Sequence, residues 1–169
     1  MFVSNLKYSA HLKTNRDVMD ADCKFEGNTV FSVNHNWLAL VSVPGVLADA
    51  KDRIDEPGIY VNTKPVPEVV ASTVAELWSG TIQHPINFFS GGGMLPDMAG
   101  LGEHIWTGSQ PNGTYPSTWP VNANCEGYTV DRNDYNGIYG NSNSTSSTWL
   151  VGGPSGCNML YYIYCVEQL

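Results

Sequence analysis

Charged residues are scarce in this chain, and basic ones are almost absent from its second half. Only 14% of the 169 residues are charged, and residues 65–169 hold Arg132 as their one basic residue against eight acidic residues. Nucleic-acid binding is driven by lysine and arginine side chains that displace counterions from phosphates. The sequence therefore predicts no nucleic-acid partner, and anionic lipids and sulfated glycans fit it poorly.

Long hydrophobic runs are also missing. No apolar segment approaches the roughly 20 residues that a membrane helix requires, so we expect no direct membrane insertion. The opening residues lack a basic segment followed by an apolar one. We therefore expect any targeting signal or anchor to lie outside this chain.

Motifs that mark catalysis or metal binding are lacking as well. Gly91–Gly93 is not followed by Lys-Ser/Thr, so it is not a phosphate-binding loop, and no Gly-x-Ser-x-Gly elbow or paired-carboxylate motif occurs. No CxxC pair is present, and the histidines lie far from the cysteines, which argues against zinc. We expect a protein that is not an enzyme and has no cofactor.

The residues that are abundant indicate a folded, loop-rich domain. Hydrophobic residues make up 42% of the chain, with 19 aromatic residues, and 169 residues suffice for one domain with its own core. Gly, Ser, Thr, Asn and Tyr are plentiful, as in extracellular and surface-displayed domains. The four cysteines form an even set that favours two disulfides and an oxidising compartment. Three pairings of them are open on the sequence alone.

The first half of the chain predicts strands and two helices. Met1–Tyr8 is strand-like, and Thr14 or Asn15 can cap a helix that runs through Phe25 and ends at Gly27. Further strands are predicted at Phe31–Val33 and Trp37–Val43. A second helix is predicted to begin at Pro67 and to end before Gly80, with an apolar face made of Val69, Val70, Val74, Leu77 and Trp78.

The second half is dominated by turn residues. The pattern predicts a flexible loop at Ser90–Met94, a strand at Ile105–Thr107, a turn at Pro111–Gly113, a long loop over 131–148 and a closing strand at Leu160–Val166. The result is an α+β fold in a single domain spanning residues 1–169. Two tryptophans beside predicted strands, Trp106 and Trp149, are expected in the core, as are Tyr162 and Tyr164 in part.

The order of the cysteines and several short segments is similar to one known family. Cys23 lies on the first predicted helix, Cys125 beyond the loops, and Cys157 and Cys165 near the end. Matching segments run from about Asp20 to Gln168: Ala48–Ile54, Gly58–Thr63, Ala75–Trp78, Ile105–Gly108, Asn124–Cys125 and Leu160–Gln168. Together they resemble the C-type lectin-like fold, in a bacterial branch related to endostatin-like surface adhesins.

The resemblance implies a structure and a role. It implies two helices packed on a small antiparallel sheet with a long loop region. It also implies that Cys23 pairs with Cys165 and Cys125 with Cys157. Proteins of this branch are surface adhesins or lipoproteins that bind host or extracellular ligands, so the resemblance implies an extracellular or cell-surface location.

One tripeptide resembles a calcium ligand of the sugar-binding lectins. Gln110-Pro111-Asn112 is similar to their Glu-Pro-Asn or Gln-Pro-Asp motif, which shares the ion with a Trp-Asn-Asp motif. The matching place here reads Trp149-Leu150-Val151, so oxygen ligands are replaced by apolar groups. Calcium needs about six to eight oxygen ligands. We therefore expect no metal site, and Pro-Asn-Gly to be simply a turn.

The candidate binding residues lie in the predicted loops 110–119 and 131–148. Tyrosine and tryptophan offer rigid contact area, and asparagine adapts its hydrogen bonds, a combination that antibody loops also use. The candidates for stacking and hydrogen bonding are Asn112, Tyr115, Trp119, Tyr135, Asn136, Tyr139, Asn141 and Asn143.

Two functions fit this pattern. The first is an adhesin or receptor-binding tip domain that recognises a cell-surface glycan or protein. The alternative is a structural domain whose aromatic surface assembles sister chains, as a homo-oligomer that would be a trimer on a surface fibre.

Overall fold

The computed structural model describes residues 1–9, 15–96, 102–117 and 124–168, and it is a mixed α+β structure. It has three helices where the resemblance implied two: α1 (Arg16–Phe31), α2 (Val74–Leu77) and α3 (Cys125–Tyr128), the last two of only four residues each. Its strands are β1 (Phe2–Val3), β2 (Asn36–Ala39), β3 (Tyr60–Val61), β4 (Val69–Ala71), β5 (His104–Trp106), β6 (Asn136–Asn141), β7 (Gly153–Gly156) and β8 (Tyr162–Gln168). The closing strand, the strand at Ile105 and the turn at Pro111–Gly113 are confirmed.

The larger sheet is organised around β8. Strands β1 and β2 both pair with β8 in the antiparallel sense. Strand β5 pairs with β8 in parallel, and β6 and β7 continue the sheet beyond β5. The resemblance implied an antiparallel sheet, whereas this sheet is mixed, because the β5–β8 pair is parallel and the other pairs are antiparallel. A parallel pair requires a crossover rather than a hairpin, and here the chain between Thr107 and Tyr161 supplies it.

The two faces of β8 support two separate cores. Cys165 and Ile163 face a core with Trp106 and with Met19 of α1. The alternate residues face a second core that contains Leu40, Ile105 and Trp149 and adds Tyr162, Tyr164 and Val166 from β8. A strand buried on both faces reads as a continuous apolar run rather than an alternating one. The expectation that Trp106, Trp149, Tyr162 and Tyr164 belong to the core is confirmed.

Both disulfides lie in the first of these cores. Cys23 of α1 is bonded to Cys165 of β8, and Cys125 of α3 is bonded to Cys157 just after β7. This is the pairing that the resemblance implied. Disulfides of this kind persist in oxidising compartments and are rare in the cytosol.

Helix α1 begins as predicted and ends later. The side chain of Asn15 caps it by accepting a hydrogen bond from the Val18 backbone N–H at 3.0 Å. Gly27 does not end the helix but lies inside it, where a Cβ atom would come within 2.5 Å of the Trp37 ring. The helix runs on to Phe31, which was expected in a strand and instead stacks on Trp37. Close packing on Trp37 is therefore what selects glycine here.

The predicted second helix is mostly a strand. Val69–Ala71 forms β4 and pairs with Tyr60–Val61, and only Val74–Leu77 is helical. Thr73 caps that short helix by accepting a hydrogen bond from the Glu76 backbone N–H at 3.1 Å. The valines have the spacing of a helix, but β-branched residues also favour strands, and here a pairing partner is available.

The segment 131–148, expected to be a loop, contains the six-residue strand β6. The sequence did not predict this strand because it contains two glycines, and glycine has a low propensity for strands. In the structure Gly137 leaves room for the Trp106 ring and Gly140 for the Trp149 backbone. The strand is therefore specified by its neighbours and not by its own sequence.

A buried hydrogen-bond network replaces regular structure between the strands. The Asn124 amide group donates to the carbonyl oxygens of Ser42 and Gly108, and its oxygen accepts from the Ile138 backbone N–H. Ser42 in turn bonds Ser109 and accepts from the Ala50 backbone N–H. Buried polar groups are costly unless paired, so this network fixes the long connections.

Among the helices of the described ranges, none has the length and hydrophobicity of a membrane span.

Loss of the Cys23–Cys165 disulfide should destabilise the protein more than loss of the other one. The bonded residues are 142 and 32 positions apart, for which loop-closure entropy gives about 5 and about 4 kcal/mol. We expect urea denaturation to show this order for Cys23→Ala/Cys165→Ala and Cys125→Ala/Cys157→Ala. The reverse order would contradict the proposal that the longer closure dominates.

Substitution of Gly27 by alanine should be destabilising although it lies in a helix. Alanine is the better helix former by about 1 kcal/mol, but its Cβ would overlap the Trp37 ring, and overpacking costs about 1–3 kcal/mol. The matched control is Gly91→Ala, where a Cβ meets nothing within 4 Å. We expect a lower melting temperature for Gly27→Ala and little change for the control. Equal melting temperatures would show that the ring moves aside freely.

Candidate ligand-binding site

The structure separates the predicted binding residues into two groups. Asn112 and Tyr115 lie on the turn that follows β5, whereas the residues from 135 to 143 lie on or beside β6. No hydrogen bond or ring contact joins the two groups within the described ranges. Trp119 lies outside the described residues.

The turn group uses its polar atoms internally. The Asn112 side-chain oxygen accepts hydrogen bonds from the Thr114 backbone N–H and from its hydroxyl, at 3.2 and 2.7 Å. The Tyr115 backbone N–H donates to the Asp49 carboxylate at 2.7 Å. Burial raises the pKa of the Tyr115 phenol. These contacts shape the turn and engage the Asn112 side-chain oxygen, whereas Tyr115 bonds through its backbone.

The β6 group is divided between the two faces of the sheet. Side chains alternate along a strand, so Tyr139 and Asn141 share one face while Asn136 lies on the other. Asn136 is exposed, and Tyr139 and Asn141 are half-buried. Tyr135, just before the strand, packs against the first core and carries the Arg132 guanidinium 5.3 Å above its ring. Of the predicted aromatic residues, Tyr139 is the one that contacts other aromatic side chains at the surface.

Three aromatic side chains meet on that surface, which we call the aromatic cluster: His104, Tyr139 and Tyr161. The His104 ring centroid lies 4.2 Å from Tyr139 and 5.0 Å from Tyr161, and the two tyrosine rings lie 5.7 Å apart. Beneath them Tyr161 contacts the fully buried Trp106 at 4.7 Å. All three cluster residues are half-buried, so each ring is partly accessible from the surface.

Several contacts hold the cluster in position. Gly152 lies against Tyr139, where a Cβ atom would come within 2.7 Å of the ring. The Tyr161 hydroxyl and the Ser155 hydroxyl are 2.9 Å apart and share a hydrogen bond. His104 and Tyr139 lie on the paired strands β5 and β6, and Tyr161 directly precedes β8. The sheet therefore fixes the backbone positions of all three rings.

Asn141 lies directly opposite His104 in the β5–β6 pair, and Asn143 follows two residues later. The Asn141 side-chain oxygen accepts from the Asn143 backbone N–H at 2.9 Å, and the Asn143 oxygen accepts from the Asn87 amide at 2.8 Å. On the other side, Lys7 pairs with Glu103 at 3.2 Å and lies 4.6 Å above the Tyr162 ring. The surroundings therefore combine amide groups with one compensated ion pair.

Sequence reasoning missed His104 and Tyr161. Each precedes a core residue of the same sheet face by two positions, His104 before Trp106 and Tyr161 before Ile163. That spacing places both on the face of Trp106. The signal was present in the sequence, but its use required knowing that β5 and β8 are neighbours.

The electrostatics of the cluster favour an uncharged histidine. Burial lowers the pKa of His104, and the nearby Lys7 lowers it further, while Glu103 opposes the shift. A neutral imidazole offers one donor and one acceptor nitrogen. The arrangement therefore supplies ring faces for stacking and neutral groups for hydrogen bonding. Within the ranges described, no group of three or more His, Cys, Asp or Glu could hold a metal ion.

Comparisons with known proteins do not assign a family. No protein-family model matches the chain, and no curated protein was found to be similar to it.

Protonation of His104 should make the protein less stable. Because the folded state lowers this pKa from 6.5, the unfolded chain binds the proton more readily, and stability falls as the pH drops below 6.5. When the pH is lowered from about 7.5 to about 5.5, we expect the melting temperature of His104→Phe to fall less than that of the wild type. The variant His84→Phe, at an exposed histidine elsewhere, controls for the loss of a histidine as such. An unchanged pH dependence in His104→Phe would contradict the burial argument.

Proposed function

We propose that this protein is a non-catalytic ligand-binding domain that recognises a glycan or a protein through the aromatic cluster and the asparagines beside it. The observation that carries this proposal is the set of ring contacts among His104, Tyr139 and Tyr161 over the buried Trp106. Rings held by paired strands lose little entropy when a ligand stacks on them. Binding residues on a rigid scaffold are a general feature of recognition domains.

The ligand that best fits this surface is uncharged or weakly charged. The apolar C–H face of a sugar stacks on an aromatic ring, and its hydroxyl groups hydrogen-bond to polar side chains beside the ring. Residues 65–169, which contain the cluster, have a net charge of −7. That charge disfavours sulfated and other polyanionic ligands. Neutral glycans are therefore the first class to test.

The fold and location belong to the same proposal. We propose a C-type lectin-like domain displayed outside the cell or at its surface. The pairing of Cys23 with Cys165 and of Cys125 with Cys157 supports it. So does the pairing of β1 with β8, which brings the opening and closing strands together. The absence of catalysis is part of the proposal, and the lack of a Gly-x-Ser-x-Gly elbow and of a paired-carboxylate motif in the sequence supports it.

Truncation of Tyr139 should abolish most of the affinity. The experiment is an array of neutral, sialylated and sulfated oligosaccharides, followed by a titration of the best neutral hit. If Tyr139 is a hot spot, Tyr139→Ala costs on the order of 2 kcal/mol of binding free energy, or about 30-fold in Kd. Added salt should change the wild-type Kd little, because no basic cluster drives binding.

The matched control is Tyr115→Ala, a half-buried tyrosine on the separate turn. Both variants are checked by circular dichroism and thermal unfolding before binding is measured. We expect Tyr115→Ala to keep its affinity within about twofold, well below the effect of a hot spot. If Tyr115→Ala loses affinity and Tyr139→Ala does not, the site lies on the turn. If neutral glycans and cell-surface proteins both fail to bind wild type, the proposal is wrong.

A further inference from the structure

A second surface, remote in sequence from the aromatic cluster, lies along helix α1. We call it the α1 groove. It has a volume of about 320 Å³, and its apolar lining consists of Leu6, Phe25 and Val30. These side chains are 57%, 74% and 42% exposed. A contiguous exposed apolar patch rimmed by polar residues is typical of a protein-interaction surface.

Two carboxylates border the same groove. Asp22 and Glu26, one helical turn apart, line it together with the apolar residues, and none of its described lining residues is lysine or arginine. No described lysine, arginine or histidine forms an ion pair with either of them. By contrast, Asp20 of the same helix pairs with Arg53. Asp22 and Glu26 therefore have no cationic partner among the described residues, whereas Asp20 on the same helix has one.

Neutral donors hold these carboxylates in place. The Tyr8 hydroxyl donates to Asp22 at 3.1 Å. The Asn5 backbone N–H donates to Glu26 at 3.0 Å, and the Ser90 hydroxyl donates to it at 2.7 Å. Hydrogen bonds from uncharged groups fix the geometry of a carboxylate without cancelling its charge. The two acids are thus positioned, and their charge is available to a cation.

We propose that the α1 groove binds a partner protein segment in which apolar side chains are flanked by lysine or arginine. The apolar side chains would cover Phe25, and the basic ones would reach Asp22 and Glu26. A second copy of this chain fits poorly, because a two-fold contact buries the same patch from both copies and would bring four carboxylates into one interface without a basic partner in the groove. An anionic membrane surface is disfavoured because it would repel the same carboxylates. This proposal does not depend on the function of the aromatic cluster.

The probe is a short amphipathic leucine–lysine peptide, compared with a leucine–glutamate peptide of the same length and apolar pattern. Binding is measured by fluorescence anisotropy at low and at physiological salt. We expect the leucine–lysine peptide to bind at least about tenfold more tightly than the leucine–glutamate peptide, with the difference reduced by salt.

Two variants test the groove. Phe25→Ser removes the apolar centre, and Asp22→Asn/Glu26→Gln removes the charge while leaving an acceptor oxygen for each hydrogen bond. Each should weaken the leucine–lysine peptide about tenfold or more, as expected for the centre of an interface. Both variants change exposed or partly exposed side chains, and their folding is confirmed by circular dichroism.

The matched controls are Val66→Ser, an apolar residue 77% exposed outside the groove, and Asp52→Asn/Asp55→Asn, two exposed carboxylates elsewhere. Both should leave affinity within about twofold of wild type. Equal weakening by the control charge variant would mean unspecific attraction and would overturn the proposal. So would equal binding of both peptides, or no binding of either. Concentration-dependent dimerisation that Phe25→Ser abolishes would overturn it in favour of a second copy.

Discussion

Burial of β8 on both faces is the constraint on which the rest of the structure depends. A strand with apolar side chains on both faces must be covered by two layers. On one face the cover is helix α1, and on the other it includes Leu40, which directly follows β2, and Trp149, which lies between β6 and β7. Strands β1, β2 and β5 are each placed by pairing with β8, and β6 and β7 follow from β5. The closing segment of the chain thus determines where every earlier strand of this sheet lies.

The long connections have little regular structure, and two kinds of interaction fix them instead. Asn124 bonds three backbone groups that come from three distant segments, at Ser42, Gly108 and Ile138. The neighbouring residue Cys125 closes the second disulfide. Asn124 also has a left-handed backbone conformation, with φ of 53°, which asparagine tolerates better than most residues. One dipeptide therefore ties the connections to each other and to the first core.

Local signals in the sequence predicted the parts of the fold that local energetics control. The cap at Asn15, the turn at Pro111–Gly113 and the closing strand depend on residues close in sequence, and the structure contains all three. The resemblance added the disulfide pairing.

The sequence failed where a distant contact overrides local preference. Gly27 lies within helix α1, where close packing on Trp37 selects glycine, and the glycines of β6 leave room for the Trp106 ring and the Trp149 backbone. The prediction of the candidate site was incomplete for the same reason. Tyr139 was predicted, but His104 and Tyr161 come close to it only through strand pairing in the sheet.

The same packing links the candidate site to the second disulfide. Gly137 lies on β6 between the Trp106 ring and the Cys125 sulfur, where an added Cβ would be within 2.8 Å of the ring and 3.2 Å of the sulfur. Trp106 supports Tyr161, and Tyr139 follows Gly137 by two residues on the same face. Any shift of the disulfide toward β6 is therefore passed to Trp106 and then to the rings at the surface, since a close-packed interior transmits strain. The aromatic cluster forms the outer edge of the disulfide-bonded core, whereas the α1 groove lies on the outward side of a helix that the other disulfide holds to β8.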